Sequence, residues 1–234
     1  MLQRVAHRGY SWVAPENTLP ALAGAVRAGA TLVEFDVRTS ADGVPVVIHD
    51  RTVDRTTDGS GHVWDFPVAQ LRELDAGSWF STAFAGVRVP LLSEVLDACG
   101  TASLLLEIKP PASRDEVARI LGMAPLDRTI VQSFDPEVIR TVRDVEPGVR
   151  RGLLRLRFEE DTVRLAKELD VVCCNPTVKD VLGDAATVAE LIGAGIDVMA
   201  WTANDLAEWP ALVKAGVAGL ITDRAGELTG WSVA

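Results

Sequence analysis

The chain has 234 residues, 48% of them hydrophobic, which suits one domain, 1–234, with a large buried core. Its formal net charge is −10 and its pI is near 4.8, so nucleic-acid backbones are repelled and any anionic ligand must be held locally, by a metal or a few placed cations. No apolar run reaches the roughly 18 residues needed to span a bilayer, and no stable membrane association is expected.

In chain order, Met1-Leu2-Gln3-Arg4 leaves no room for a signal peptide ahead of His7. Val5-Ala6 is a first short apolar run, followed by His7-Arg8-Gly9. Pro15-Glu16-Asn17-Thr18 reads as the capped start of a helix over Asn17 to Ala28, and Glu16 or Asn17 could also reach the surroundings of a nearby metal. Thr31 to Val37 is a second strand. Asp42-Gly43, flanked by apolar runs, signals a hairpin leading into an extra strand, Val44 to Asp50. A two-residue loop there places Asp36 opposite His49, with Cα atoms about 5 Å apart, and a bulge shifts the pairing by one residue. Residues 51–90 form a long connection rich in Gly, Asp and Thr, expected as an insertion over the mouth of the fold. Its aromatics, Trp64, Phe66, Trp79, Phe80 and Phe84, are expected to build a private mini-core, the alternative being contact with a ligand.

Beyond it, the strand-like runs are Ser103 to Ile108, Thr129 to Phe134, Arg151 to Leu156, Asp170 to Cys174, Ile196 to Thr202 and Gly219 to Thr222. Helical stretches lie between them: Leu92 to Cys99, Asp135 to Val145, Glu159 to Leu169, Ala185 to Ala194 and Asp205 to Ala215. This alternation predicts parallel strands with crossover helices, and eight strand candidates point to a closed (β/α)8 TIM-type barrel rather than a doubly wound sheet. Chemistry then belongs at the C-terminal strand ends. Cys99, Cys173 and Cys174 are odd in number, two of them adjacent in an apolar run; they read as buried thiols of a cytoplasmic protein in a reducing compartment.

Glu34 and Asp36 lie two apart on one strand and so share a face, inside an otherwise apolar segment. Glu107 repeats the pattern in Leu104 to Lys109. Three carboxylates at two strand ends would repel one another unless a cation joins them, and an oxygen-only set suits one hard divalent ion, Ca²⁺ or Mg²⁺. The competing reading is salt bridging to Lys109. Two of the three histidines, His7 and His49, fall near this cluster and could act as an acid/base pair; His62, in the Gly-rich insertion, reads as a surface residue. Arg8 and Lys109 can meet a phosphate, one as a planar fork and one as a point charge. Trp201 at a strand end could wall a small polyol or cap the core.

These residues fall in motifs. His7-Arg8-Gly9 with Ala14 to Thr18, Glu34-Phe35-Asp36, Asp42 to Asp50 and Arg55 to Gly59 come first; Val89 to Leu96, Leu106 to Lys109, Gln132-Ser133-Phe134, Trp201-Thr202 and Thr222-Asp223 follow. In this order, over nearly the whole chain, they resemble the glycerophosphodiester phosphodiesterase family. The resemblance implies a barrel with a short insertion after the second strand, metal binding at Glu34, Asp36 and Glu107, acid/base catalysis by His7 and His49, and phosphate contacts from Arg8 and Lys109. Ala225 departs from the proline that the family often carries after Thr-Asp-x. The expected reaction is hydrolysis of a glycerophosphodiester to glycerol 3-phosphate and an alcohol through a cyclic phosphate, with His7 as the starting base and His49 as the acid. A lysophospholipase D-like activity, favoured by apolar surface around Trp79, Phe80 and Phe84, is the alternative, followed by a non-catalytic phosphoester-binding barrel.

Overall fold

Alternation of side chains along each apolar run decides what faces the barrel axis. In the strand over residues 32–39, Val33, Phe35 and Val37 join the core shared with the surrounding helices, while Leu32 joins a separate cluster inside the barrel. The computed structural model describes residues 2–231. The elements in chain order are β1 (Gln3–Ala6), α1 (Leu19–Arg27), β2 (Leu32–Thr39), β3 (Pro45–Val47), α2 (Val68–Leu71), α3 (Leu92–Cys99), β4 (Ser103–Ile108), α4 (Arg114–Met123), β5 (Thr129–Ser133) and α5 (Pro136–Val145). They continue with β6 (Arg150–Arg155), α6 (Thr162–Glu168), β7 (Cys173–Pro176), α7 (Val178–Gly183), α8 (Ala185–Gly193), β8 (Asp197–Ala200), α9 (Trp209–Lys214), β9 (Gly219–Thr222) and α10 (Ala225–Gly230).

Among the described residues, the strands follow the order β1-β9-β8-β7-β6-β5-β4-β2-β3, and β1 also pairs with β2. Eight parallel strands therefore close into the expected TIM-type barrel, and β3 hangs antiparallel from β2. The barrel floor is apolar, built from Val5, Leu32, Leu105, Ile130, Cys173, Met199 and Ile221. Above it the interior turns polar, with Asn175 Nδ2 donating to Gln132 Oε1 at 2.7 Å. All three cysteines are buried and unpaired. Burial pushes the Cys99 thiol up to about 11 and the other two to about 12.

The hairpin departs from the two-residue expectation. Gly43 N donates to Ser40 O and takes a φ of +79°, which makes a three-residue loop with the glycine in the left-handed position. The register slips by one, so Val37 faces Val47 and Ile48 N bonds Asp36 O at 3.0 Å. Asp36 thus lies opposite Ile48, and His49 sits one residue beyond the pairing expected for it.

The insertion does enclose a small core, but an aliphatic one: Val46, Ile48, Val53, Val63, Leu71, Ala76 and Val89, with Phe66 as the single aromatic packed against it. Trp64 is exposed and stacks on His62, and Trp79, Phe80 and Phe84 meet edge to face nearer the surface. Short β-branched and leucine side chains fill so thin a layer better than rings do. The Pro15 to Thr18 cap also differs from expectation. Thr18 stands at the helix N-cap without a side-chain bond to it, and the Asn17 side chain is drawn away to Asp36.

Candidate active site

The C-terminal ends of β1, β2 and β4 converge on one cavity. Glu34 and Asp36 project inward from β2, and Asp36 pairs in register with Glu107 of β4. All three carboxylates are buried, and one oxygen from each lies within 4.8 Å of the others. Lys109 Nζ stands 2.9 Å from Asp36 Oδ1 and 2.5 Å from Glu107 Oε1, and Arg8 Nε stands 3.5 Å from Asp36 Oδ2. The salt-bridge reading of Lys109 is therefore realised in part.

It does not balance the cluster. Burial works to raise Asp36, but Lys109 and Arg8 overcome it and hold that carboxyl well below the usual range. Burial and the charges of Asp36 and Glu107 drive Glu34 well above its ordinary value. Burial and Asp36 also push Glu107 up to about 8, against the pull of Lys109. Lys109 Nζ is the cation that meets Glu107 Oε1, and it is shared with Asp36. Three hard oxygen donors, two of them reluctant to ionise unaided, fit a divalent cation.

The two histidines are oriented by carboxylates. A carboxylate can only accept, so His7 Nδ1–H donates to Asp223 Oδ1 at 2.7 Å and His49 Nδ1–H to Asp50 Oδ1 at 2.6 Å. In both rings Nε2 is the nitrogen left for a ligand. Asp223 also accepts from Ser11 Oγ and from Asn204 Nδ2; against burial, these partners bring it down to about 2. Asp50 lies near 2 as well, where Arg55 and His49 overcome its burial. Burial lowers His49; Asp36 opposes that, and Lys109 and Arg8 add to it. His62 lies apart, exposed on the insertion, and does not line the cavity.

The cavity has a charged half and an apolar half. His7, Arg8, Glu34, His49, Glu107 and Lys109 line the first; Pro110, Phe134, Leu154, Leu156 and Trp201 line the second, with Gln132 and Ile221 below. Trp201 Nε1 donates to Asn175 O, and its ring meets Phe134 edge-on at 5.4 Å, so it walls the cavity from a fixed position. Each residue singled out in the sequence for the site lies here, Asp36 being sealed just behind the lining.

Tight backbone supports this arrangement. Arg8, Gly9 and Asn17 all have positive φ (55°, 83° and 57°). A Cβ on Gly9 would lie 2.6 Å from the Ala21 carbonyl carbon, so only glycine fits between β1 and α1. Asn17 binds Asp36 twice, Nδ2 donating to Oδ2 at 2.7 Å and Oδ1 accepting from the Asp36 N–H at 3.1 Å. Asp223, Asp50 and Arg55 were not singled out as site residues in the sequence. Their signal was adjacency to a chemical residue or membership of a motif: Asp50 follows His49, and Asp223 closes Thr222-Asp223.

Comparison with known proteins adds to this picture. The profile of the glycerophosphoryl diester phosphodiesterase family matches residues 7–227. A glycerophosphodiester phosphodiesterase of Caldanaerobacter subterraneus subsp. tengcongensis is 33% identical over 227 residues, covering 94% of this chain and 93% of that protein. Among solved structures, a phosphodiesterase of Oleispira antarctica in complex with the product sn-glycerol-3-phosphate superposes with a TM-score of 0.92 at 30% identity, over 97% of this chain and 95% of that one. A glycerophosphodiester phosphodiesterase of Agrobacterium tumefaciens gives 0.84 at 31% identity, over 99% and 100%.

Proposed function

The chain belongs to the glycerophosphoryl diester phosphodiesterase family and is a phosphoric diester hydrolase of that class; on this premise we propose that it releases glycerol 3-phosphate from glycerophosphodiesters, with Glu34, Asp36 and Glu107 as metal ligands and His7 and His49 as the acid/base pair. The observation that carries the reading is the facing of three buried carboxylates and two carboxylate-held imidazoles across one cavity. Glu34, Asp36 and Glu107 would hold a Ca²⁺ or Mg²⁺ ion, which would supply positive charge toward the phosphate and make a neighbouring hydroxyl more acidic.

The residues of the chain do the rest. Arg8 and Lys109 draw the phosphate oxygens in, one as a fork and one as a point charge. Burial would lower both groups, but the carboxylates around them hold both above their ordinary values, so both stay charged. The glycerol carbons lie against Trp201. The glycerol hydroxyl next to the esterified carbon is already beside phosphorus, which gives it a large proximity advantage over bulk water. It loses its proton to one histidine and bonds to phosphorus as the P–O bond to the alcohol breaks; the other histidine protonates the alcohol. Water then opens the five-membered cyclic phosphate with the roles exchanged. Burial lowers His49 although Asp36 opposes it, and that direction supports His49 as the base and His7 as the acid. This reverses the order expected from the sequence.

A diester with a nitrophenol leaving group tests that order. It needs no proton, so loss of the acid is spared on it and loss of the base is not. The central experiment compares a natural diester with its deoxy analogue lacking the neighbouring hydroxyl. Very slow turnover of the analogue is expected, and equal turnover rules out the cyclic path. The apolar half of the cavity favours one second reading, an alcohol carrying an acyl chain as in a lysophospholipid. A turnover screen of glycerophosphocholine, glycerophosphoethanolamine, glycerophosphoglycerol and a lysolipid, with each metal, separates the two. The unpaired, buried thiols support residence in a reducing compartment such as the cytoplasm.

A further inference from the structure

Arg55 enters the site from the insertion and is used by none of the steps above. Its guanidinium forks onto two carboxylates at once. Toward Asp50, Nε donates to Oδ2 at 2.6 Å and Nη2 to Oδ1 at 3.1 Å; toward Glu16, Nη1 donates to Oε2 and Nη2 to Oε1, both at 2.8 Å. Each carboxylate also holds a residue of the site, through the same oxygen that accepts from Nη2. Asp50 Oδ1 holds His49 Nδ1 at 2.6 Å, and Glu16 Oε1 holds Arg8 Nη1 at 2.7 Å. The result is an unbroken chain, His49–Asp50–Arg55–Glu16–Arg8, that joins the end of β3 to the end of β1.

We propose that Arg55 is a positioning residue that sets the His49 imidazole and the Arg8 guanidinium together for the reaction, a role that rests on the assignment of those two groups made above. Asp50 and Glu16 both lie within hydrogen-bond distance of the same Nη2, so without the guanidinium between them they repel. The two side chains they hold would part with them. An ordinary surface pair contributes little because two flexible chains must be held for one contact. Arg55 instead satisfies four hydrogen bonds in the plane that its fork presets, and a lysine ammonium, a single point charge, cannot reproduce both forks. The loop that carries it is anchored: Val53 sits in the mini-core, and Thr57 Oγ1 donates to Val53 O while accepting from Gly59 N.

The test measures kcat, KM, metal Kd and Tm for R55A, R55K, H49A and the R55A/H49A double variant. R55A is expected to keep its metal Kd and to lose about 10- to 100-fold in turnover, the range for removing the partner behind a working group. R55K should be nearly as poor, and added guanidinium ion should restore R55A but not H49A, since Arg55 is open to solvent. On the H49A background R55A should cost less in kcat than it does in the parent, because the part of its effect that runs through the His49 ring is already lost and only the part through Glu16 and Arg8 remains. Should R55A fail to fold, R55K carries the same test with its charge kept. A crippled H49A beside R55A and R55K within about twofold of the parent overturns the proposal alone. Full turnover by H49A overturns the reading of the site, and the proposal with it.

Discussion

Glu34 and Glu107 hold their protons more tightly than free carboxyls do, so a cation arriving at the site must displace them. Glu107 titrates near 8 in the fold against 4.5 in an open chain. Between those values Glu107 binds more protons in the folded state than in the unfolded one, so its contribution to metal-free stability falls as pH rises, outweighing the smaller opposite contribution of the lowered His49. The expected outcome is that protein kept in excess chelator melts at a lower temperature at pH 8 than at pH 6. With Mg²⁺ or Ca²⁺ present the trend should reverse, and calorimetry should find metal affinity growing up to about pH 8 and levelling off above it. Replacing Glu34 by Gln should weaken the metal sharply, and full activity in excess chelator would remove the metal from the account. His7→Ala and His49→Ala should each lower turnover by about 10² to 10⁴ with the fold intact, whereas His62→Ala should be nearly silent. These residues were legible because a charge or an imidazole stands out in an apolar strand. Their supports were not: Asp223 lies 216 positions from the His7 ring it holds, and no local pattern announces such a pairing.

The β2–β3 hairpin depends on Gly43. Alanine there must adopt a φ near +79° and crowds the terminal nitrogen of Arg119, which is flexible enough to yield. Gly43→Ala should therefore cost about 1–2 kcal/mol in chemical denaturation, chiefly from the left-handed backbone. Gly9→Ala meets the Ala21 backbone instead and should cost about 3 kcal/mol or more, strain and overpacking adding together. Similar losses for the two would show that the packing of β1 on α1 is looser than described. At this scale the alternation of strands and helices was readable from period and turn chemistry. The one-residue slip was not, because Asp42-Gly43 fits both a two-residue loop and a three-residue loop with a bulge. The helix α4 escaped notice for a related reason: Arg114-Asp115-Glu116 opens it with charge, and only Val117, Ile120 and Leu121 are buried.

Across the whole molecule, the cavity is divided largely along the chain, Pro110 after β4 being the apolar lining residue that falls with the charged half. The groups proposed to do the chemistry reside on β1 to β4 and the loops after them, while Phe134, Leu154, Leu156 and Trp201 come from β5, β6 and β8 or just beyond them. Leu154→Ala or Phe134→Ala should therefore change KM and the ranking of alcohol groups while leaving metal affinity untouched, as a titration of each variant would show. A parallel loss of metal affinity for Phe134→Ala would mean that the halves are coupled through Lys109, whose ammonium lies over the Phe134 ring at 5.8 Å. The closed barrel was legible as eight apolar runs, but this partition was not, since apolar residues near a strand end look alike whether they face helices or a ligand. The partition has a practical side. On the proposed roles, and with Asp223 kept to hold His7, the charged wall and the apolar wall can be diversified one at a time. A small library at positions 134, 154 and 156 would then reshape the apolar wall while every member keeps the carboxylates and histidines of the opposite wall.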